Sequence, residues 1–177
     1  FSYPAPVEDA QRAVRFIRYH ANKYGIHPDQ IGAVGGSSGG HLVSLLGLLD
    51  GKGNPEDPSS VNRVSAKVQC VVTRAAPADL VLMAKEQNPL IPLFGYAINL
   101  DRSSLEHRTF VEASPVTYVS ADDPPFLMVH GDADTRVFFK QSEVLEAALK
   151  KAGVEVKLLR VPGGGHGPKF DGANNPP

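Results

Sequence analysis

The sequence predicts an α/β fold: a mainly parallel sheet with flanking helices. Three observations carry that expectation. Apolar segments of strand length alternate with amphipathic segments of helix length along most of the 177 residues, which is the pattern of a parallel sheet with helical crossovers. The run Phe126-Leu127-Met128-Val129 is apolar throughout, as a strand buried on both faces requires. The first such run, Ile31-Gly32-Ala33-Val34, passes through Gly35-Gly36-Ser37-Ser38-Gly39-Gly40-His41-Leu42 straight into Val43, Leu45, Leu46, Leu48 and Leu49. That reads as strand, tight turn and helix.

Taken in order, Pro4-Ala5-Pro6 introduces a helix whose apolar stripe is Val7, Ala10, Val14, Ile17, Ala21 and Tyr24, with Glu8 and Asp9 in its first turn and Gly25 just beyond its end. A strand over 31–35 and a helix over 38–49 follow. Gly, Asn, Pro and Ser crowd residues 50–66, a surface loop. The next strand is 67–73, and Cys70 within Val68-Gln69-Cys70-Val71-Val72 is expected to be a small buried hydrophobe. Residues 78–123 are mixed: Ala78 to Lys85 helical, Leu90 to Leu100 apolar and broken by proline, Ser103 to Glu112 a further helix. The pattern closes with strand 126–130, helix 140–152 and strand 154–161, whose alternation of apolar and polar residues suits one exposed face.

The turn after the first strand carries the chemistry. A serine at a sharp strand-to-helix turn sits on strained backbone with its hydroxyl above the sheet edge. The helix behind it aims N–H groups and the positive end of its dipole at any oxyanion formed there. The letters G-x-S-x-G occur in two registers, Gly35/Gly39 around Ser37 and Gly36/Gly40 around Ser38, so spacing leaves both serines open. Downstream, acid and base candidates each follow a strand. His130-Gly131-Asp132-Ala133-Asp134 follows the strand at 126–130, and Pro162-Gly163-Gly164-Gly165-His166-Gly167 follows the last one. A histidine among glycines has no apolar neighbours in the chain to pack with, and a free imidazole titrates near ~6.5, which suits general acid–base work.

The octapeptide at 35–42 resembles the nucleophile elbow of α/β-hydrolases, in the G-x-S-[AS]-G-G-[NH]-L form found in hormone-sensitive-lipase-like carboxylesterases and in bacterial feruloyl and acetyl-xylan esterases. The resemblance extends from Phe1-Ser2-Tyr3-Pro4 through Ala113-Ser114-Pro115-Val116 to the histidine turn. It implies Ser37 as nucleophile, the Ser38 N–H as one oxyanion donor, Asp134 of an H-G-x-x-D signature as the acid with Asp132 as its nearest rival, and His166 as the base. It also implies one catalytic domain over 1–177, partial at both ends. A cap-like insertion around 78–123 would shape the pocket, with Phe94, Tyr96 and Ile98 either lining it or, as their residue types favour, serving as ordinary core. The substrate would be a small carboxylic ester, cleaved through an acyl-serine. Prolyl-oligopeptidase-type serine peptidases share the order Ser, Asp, His, and an interaction module without catalysis is the reading from another class. Relative to the family, Thr73-Arg74-Ala75-Ala76-Pro77 stands where an aromatic-Gly-Pro run is usual, and Phe138 where proline is common.

Composition narrows the field. The formal net charge is −1 and there is neither a basic block nor a run of 18 apolar residues, which argues against nucleic acid as a partner and against a membrane-spanning helix. The six histidines and the single cysteine show no metal-ligand spacing, so no metal and no cofactor is expected. His41 and His130 read as packing or hydrogen-bonding residues. One cysteine excludes an intrachain disulfide and favours a reducing, cytoplasmic compartment. The strand at 31–35 carries neither proline nor charge, and the resemblance leaves its outer edge bare, so a homo-oligomer through that edge is expected.

Overall fold

The computed structural model describes residues 3–91 and 97–167. Four strands, Gly32–Gly36 (β1), Cys70–Arg74 (β2), Phe126–Gly131 (β3) and Val156–Val161 (β4), form a parallel sheet in the order β1-β2-β3-β4. The helices are Ala5–Tyr19 (α1), Ala21–Tyr24 (α2), Ser38–Leu48 (α3), Leu80–Lys85 (α4), Leu105–Glu112 (α5) and Lys140–Ala152 (α6).

A sheet whose spatial order equals its chain order, with right-handed crossovers, places every connection on one face. Burial agrees with this. Val71, Phe126 and Met128 pack with Val14, Leu46, Leu48, Leu145 and Leu149 from α1, α3 and α6 into a single core. The alternate residues point the other way: Val34 is 77% exposed and Val72, Leu127 and Val129 are half-buried. Cys70 belongs to this second set. It is exposed, contrary to the expectation of burial, because the pleat turns Val71 and Thr73 inward and Cys70 outward. Among the described residues β1 pairs on one side, with β2.

The first helix also departs from the expected stripe. It stops at His20, and a separate single turn, α2, is closed by Gly25 at φ +64, the left-handed backbone that glycine adopts freely. Of the expected stripe, Val7, Val14 and Ala21 are buried whereas Ile17 and Tyr24 are exposed. The other differences lie at element ends. The second strand opens at Cys70 rather than at 67. The last opens at Val156 rather than at 154, because Gly153 turns left-handed (φ +82) and Val154 N–H returns to Leu149 O at 3.0 Å to close α6.

Among the described residues between 78 and 123, Leu80, Met83, Ala84, Ile91, Phe110 and Ala113 form a second small core. Asp79 and Ser104 cap α4 and α5 by accepting from the Leu82 and His107 N–H groups. Gln141, fully buried on α6, accepts from both Ala78 N–H and Asp79 N–H (2.9 and 2.8 Å) and ties this layer to the main body.

The two sheet faces should respond differently to truncation. Met128→Ala, at a position 1% exposed, should cost about 2–5 kcal/mol. Val34→Ala should change stability by no more than about 0.5 kcal/mol. Urea denaturation of the 177-residue chain measures both.

Candidate active site

Parallel strands that run the same way finish at the same edge, so the loops leaving their carboxyl ends converge. The register aligns Gly36 with Arg74 and Arg74 with Val129. Around this edge lie Ser37, the loop 132–137 and the loop 162–167.

Ser37 is the junction of β1 and α3. Its backbone is at φ +54, ψ −123, a region that costs a non-glycine residue on the order of 1–3 kcal/mol and persists where the surroundings fix it. Two bonds do so: Ser37 N–H donates to Arg74 O (2.8 Å), and Ser37 O accepts from His41 N–H (3.0 Å). Gly35 is required as well, because a Cβ there would collide with the Gly39 backbone. The turn presents Ser37 Oγ 2.9 Å from His166 Nε2, and His166 Nδ1 lies 2.7 Å from Asp134 Oδ2. An imidazole whose Nδ1 faces a carboxylate carries its proton there, leaving the Nε2 lone pair to accept from the serine hydroxyl.

Asp134 is 5% exposed. Burial raises its pKa, but bonds from His130, His166 and the N–H groups of Arg136 and Val137 outweigh it and bring the carboxyl down to about 2. His130 is fully buried. Its Nε2 is 2.8 Å from Val137 O and 3.3 Å from Asp134 Oδ2, and its Nδ1 is 2.7 Å from Ser142 Oγ. Because Val137 O only accepts, Nε2 carries the proton and Nδ1 accepts from the Ser142 hydroxyl.

Ser37, Asp134 and His166 are thus brought together. Ser38 is not part of that relay; it opens α3, where the first N–H groups of a helix have no intrahelical acceptor. Asp132 faces elsewhere, accepting from Arg160 Nε and Gly163 N–H, both at 2.7 Å. Asp134 caps its own loop rather than α6, whose N-terminus has no side-chain cap. His41 is buried with Nε2 2.7 Å from Ala113 O, and burial lowers its pKa. His41 and His130 therefore act as the hydrogen-bonding residues expected of them. Phe94 and Tyr96 lie outside the described residues, and Ile98 is 40% exposed. No group of three or more His, Cys, Asp or Glu that could hold a metal ion occurs among the described residues.

Arg74 is the contact that sequence reasoning missed. Its Nη1 donates to His166 O (2.9 Å) and Gly167 O (3.1 Å). The signal was present as an arginine at the end of an apolar strand, a place where a charge needs partners.

The BD-FAE family model matches residues 1–149. Two curated relatives come from Mycobacterium tuberculosis (strain ATCC 25618 / H37Rv). The probable carboxylic ester hydrolase LipM is 32% identical over 145 residues, covering 80% of this chain and 32% of that protein. Esterase LipQ is 30% identical over 166 residues, covering 93% and 39%. Among solved structures, the acetyl ester-xyloside bifunctional hydrolase from Caldicellulosiruptor lactoaceticus superposes with a TM-score of 0.83 at 33% identity, over 94% of this chain and 58% of that one. The chain spans less than half the length of LipM and of LipQ. A family match over most of the sequence, joined to the parallel sheet and its serine turn, means that the chain belongs to the BD-FAE family and has the α/β-hydrolase fold.

Proposed function

We propose that the protein containing this chain hydrolyses carboxylic esters, with Ser37 as nucleophile, His166 as general base and Asp134 as the acid that orients it. The relay Asp134–His166–Ser37, with links of 2.7 and 2.9 Å, is the observation that carries this reading. His166 Nε2 takes the hydroxyl proton as Ser37 Oγ attacks the ester carbonyl, and the ionised Asp134 stabilises the imidazolium that results. The negative tetrahedral oxygen is met by the Ser38 N–H and the positive end of α3. Collapse expels the alkoxide, which receives the proton from His166, and water then releases the acid from Ser37 by the same steps.

The names of the relatives support the ester class, and that of the Caldicellulosiruptor lactoaceticus hydrolase makes an acetyl ester the first substrate to assay. The layer at 78–123 serves as a cap-like insertion beside the acid loop, to which Asn88 Nδ2 is tied through Arg136 O at 2.9 Å. No helix among the described residues is long and apolar enough to cross a membrane. The lone cysteine is the feature that favours a cytoplasmic location.

In the full-length protein, Ser37→Ala should lower turnover of p-nitrophenyl acetate by about 10⁶-fold. Ser38→Ala keeps its backbone N–H and should stay within about threefold of the parent rate. Mapping of a fluorophosphonate adduct should locate it on Ser37, and an adduct on Ser38 reverses the assignment.

Asp134→Asn should lower turnover by about 10⁴ while the fold persists. The same variant tests the charge. The Asp134 carboxyl titrates at about 2 in the folded chain against roughly 3.9 unfolded, so its contribution is complete above about pH 4 and lost as pH falls toward 2. Thermal unfolding between pH 5 and 2 should therefore fall less steeply in Asp134→Asn than in the parent.

The outer edge of β1, which pairs only with β2 among the described residues, supports self-association of the 177-residue chain, since unpaired strand edges template pairing. Sedimentation velocity should show oligomers that Val34→Lys reduces. A monomeric parent chain removes this part of the proposal.

A further inference from the structure

The histidine loop consists of Gly163, Gly164, Gly165, His166 and Gly167, so apart from the imidazole itself it has no side chain with which to pack. Such a backbone holds one conformation only if something outside it fixes it. At its amino end there are three anchors: Gly163 N–H donates to Asp132 (2.7 Å), Gly164 N–H to Val161 O (3.1 Å), and Gly164 O accepts from Ala133 N–H (3.0 Å). Beyond them, at the histidine, two successive carbonyls accept from one guanidinium nitrogen of Arg74.

We propose that Arg74 is a positioning residue for His166: its side chain holds the base loop while its main chain holds the serine turn, so that one residue of β2 sets the distance between them. This rests on the reading of Ser37 and His166 given above. Arg74 O accepts from Ser37 N–H at 2.8 Å, and Arg74 Nη1 grips the residues on the other side of the relay. Space for the guanidinium is provided at β1, where Gly36 pairs with Arg74; a Cβ on Gly36 would lie 2.8 Å from Nη2 and 3.2 Å from Nε. Nη1 carries two N–H groups, one for each carbonyl, and the planar guanidinium fixes their directions in a way that the mobile ammonium of lysine does not. A substitution at 74 leaves the main-chain bond to Ser37 available, so it probes the base loop separately from the nucleophile.

The test compares Arg74→Met, Arg74→Lys and His166→Ala in the full-length protein. The readouts are kcat and KM for p-nitrophenyl acetate, with kcat expressed per site titrated by a fluorophosphonate so that a smaller folded fraction does not count. A base displaced by about 1 Å loses on the order of 10² in rate, so Arg74→Met should lower kcat by about 10- to 100-fold with KM within about threefold. Its phosphonylation rate should fall by the same factor, because that step uses the same base. Arg74→Lys should lie between Met and the parent. If His166→Ala abolishes turnover and Arg74→Met keeps the parental kcat, the proposal is overturned while the assignment of the base stands. If His166→Ala keeps turnover, the base reading itself fails and the proposal with it. Should Arg74→Met not fold, Arg74→Lys decides: a kcat at least threefold below the parent with unchanged KM supports the proposal, and a parental kcat overturns it.

Discussion

The carboxylate of Asp134 imposes the constraint on which the rest of the site depends. A buried charge is costly unless hydrogen bonds replace the water it has lost. Here Oδ1 accepts two backbone N–H groups from its own loop, and Oδ2 lies against two imidazoles. The two N–H bonds force Asp134 to Val137 into a tight turn. His130 is positioned inside that turn by Val137 O and Ser142, which fixes α6 relative to β3. Satisfying one charge therefore fixes the shape of a loop and the seat of a helix, and it leaves one carboxylate lone pair for His166.

The relay is assembled by bonds between loops more than by bonds within them. Ala75 N–H donates to Val129 O, Ser37 N–H to Arg74 O, Ala133 N–H to Gly164 O and Asp132 N–H to Val161 O. Each joins the segment leaving one strand to the strand beside it or to the loop leaving that strand. Because the strands are in register, these joints are short and leave little freedom. The sheet acts as a ruler, and the core of Val71, Phe126 and Met128 beneath it resists changes in strand spacing as any close-packed interior does.

How much of this was legible in the chain depended on whether the signal was local. The serine turn, the acid loop and the glycine-histidine turn each follow an apolar run, and local sequence placed all three correctly at strand ends. Local letters do not separate Ser37 from Ser38; what separates them is φ +54 at Ser37 and the 2.9 Å from its Oγ to His166 Nε2, which the fold supplies. Nor do they decide between Asp132 and Asp134, since both are two-residue neighbours on one loop and only the fold directs Asp132 to Arg160. Cys70 was misjudged because an apolar strand does not reveal which of its faces the helices cover. The single expected helix over 7–24 broke because a stripe at 3.6-residue spacing is compatible with a kink at His20, and nothing in the composition marks one.

Arg74 illustrates the remaining kind of blindness. Within the strand it reads as an oddity, a charge after Val71-Val72-Thr73 and before Ala75-Ala76. Two of its partners are 92 and 93 residues away and are carbonyl oxygens, which every residue has and no sequence pattern advertises. Gly36 adjoins Arg74 in the register for a related reason: Arg74 O on β2 accepts from Ser37 N–H, and the Arg74 guanidinium runs past the β1 backbone at Gly36, where a Cβ would obstruct it. Side chains that govern a site through another residue's backbone leave their trace in such pairs, a charge on one strand and a missing side chain on the strand beside it.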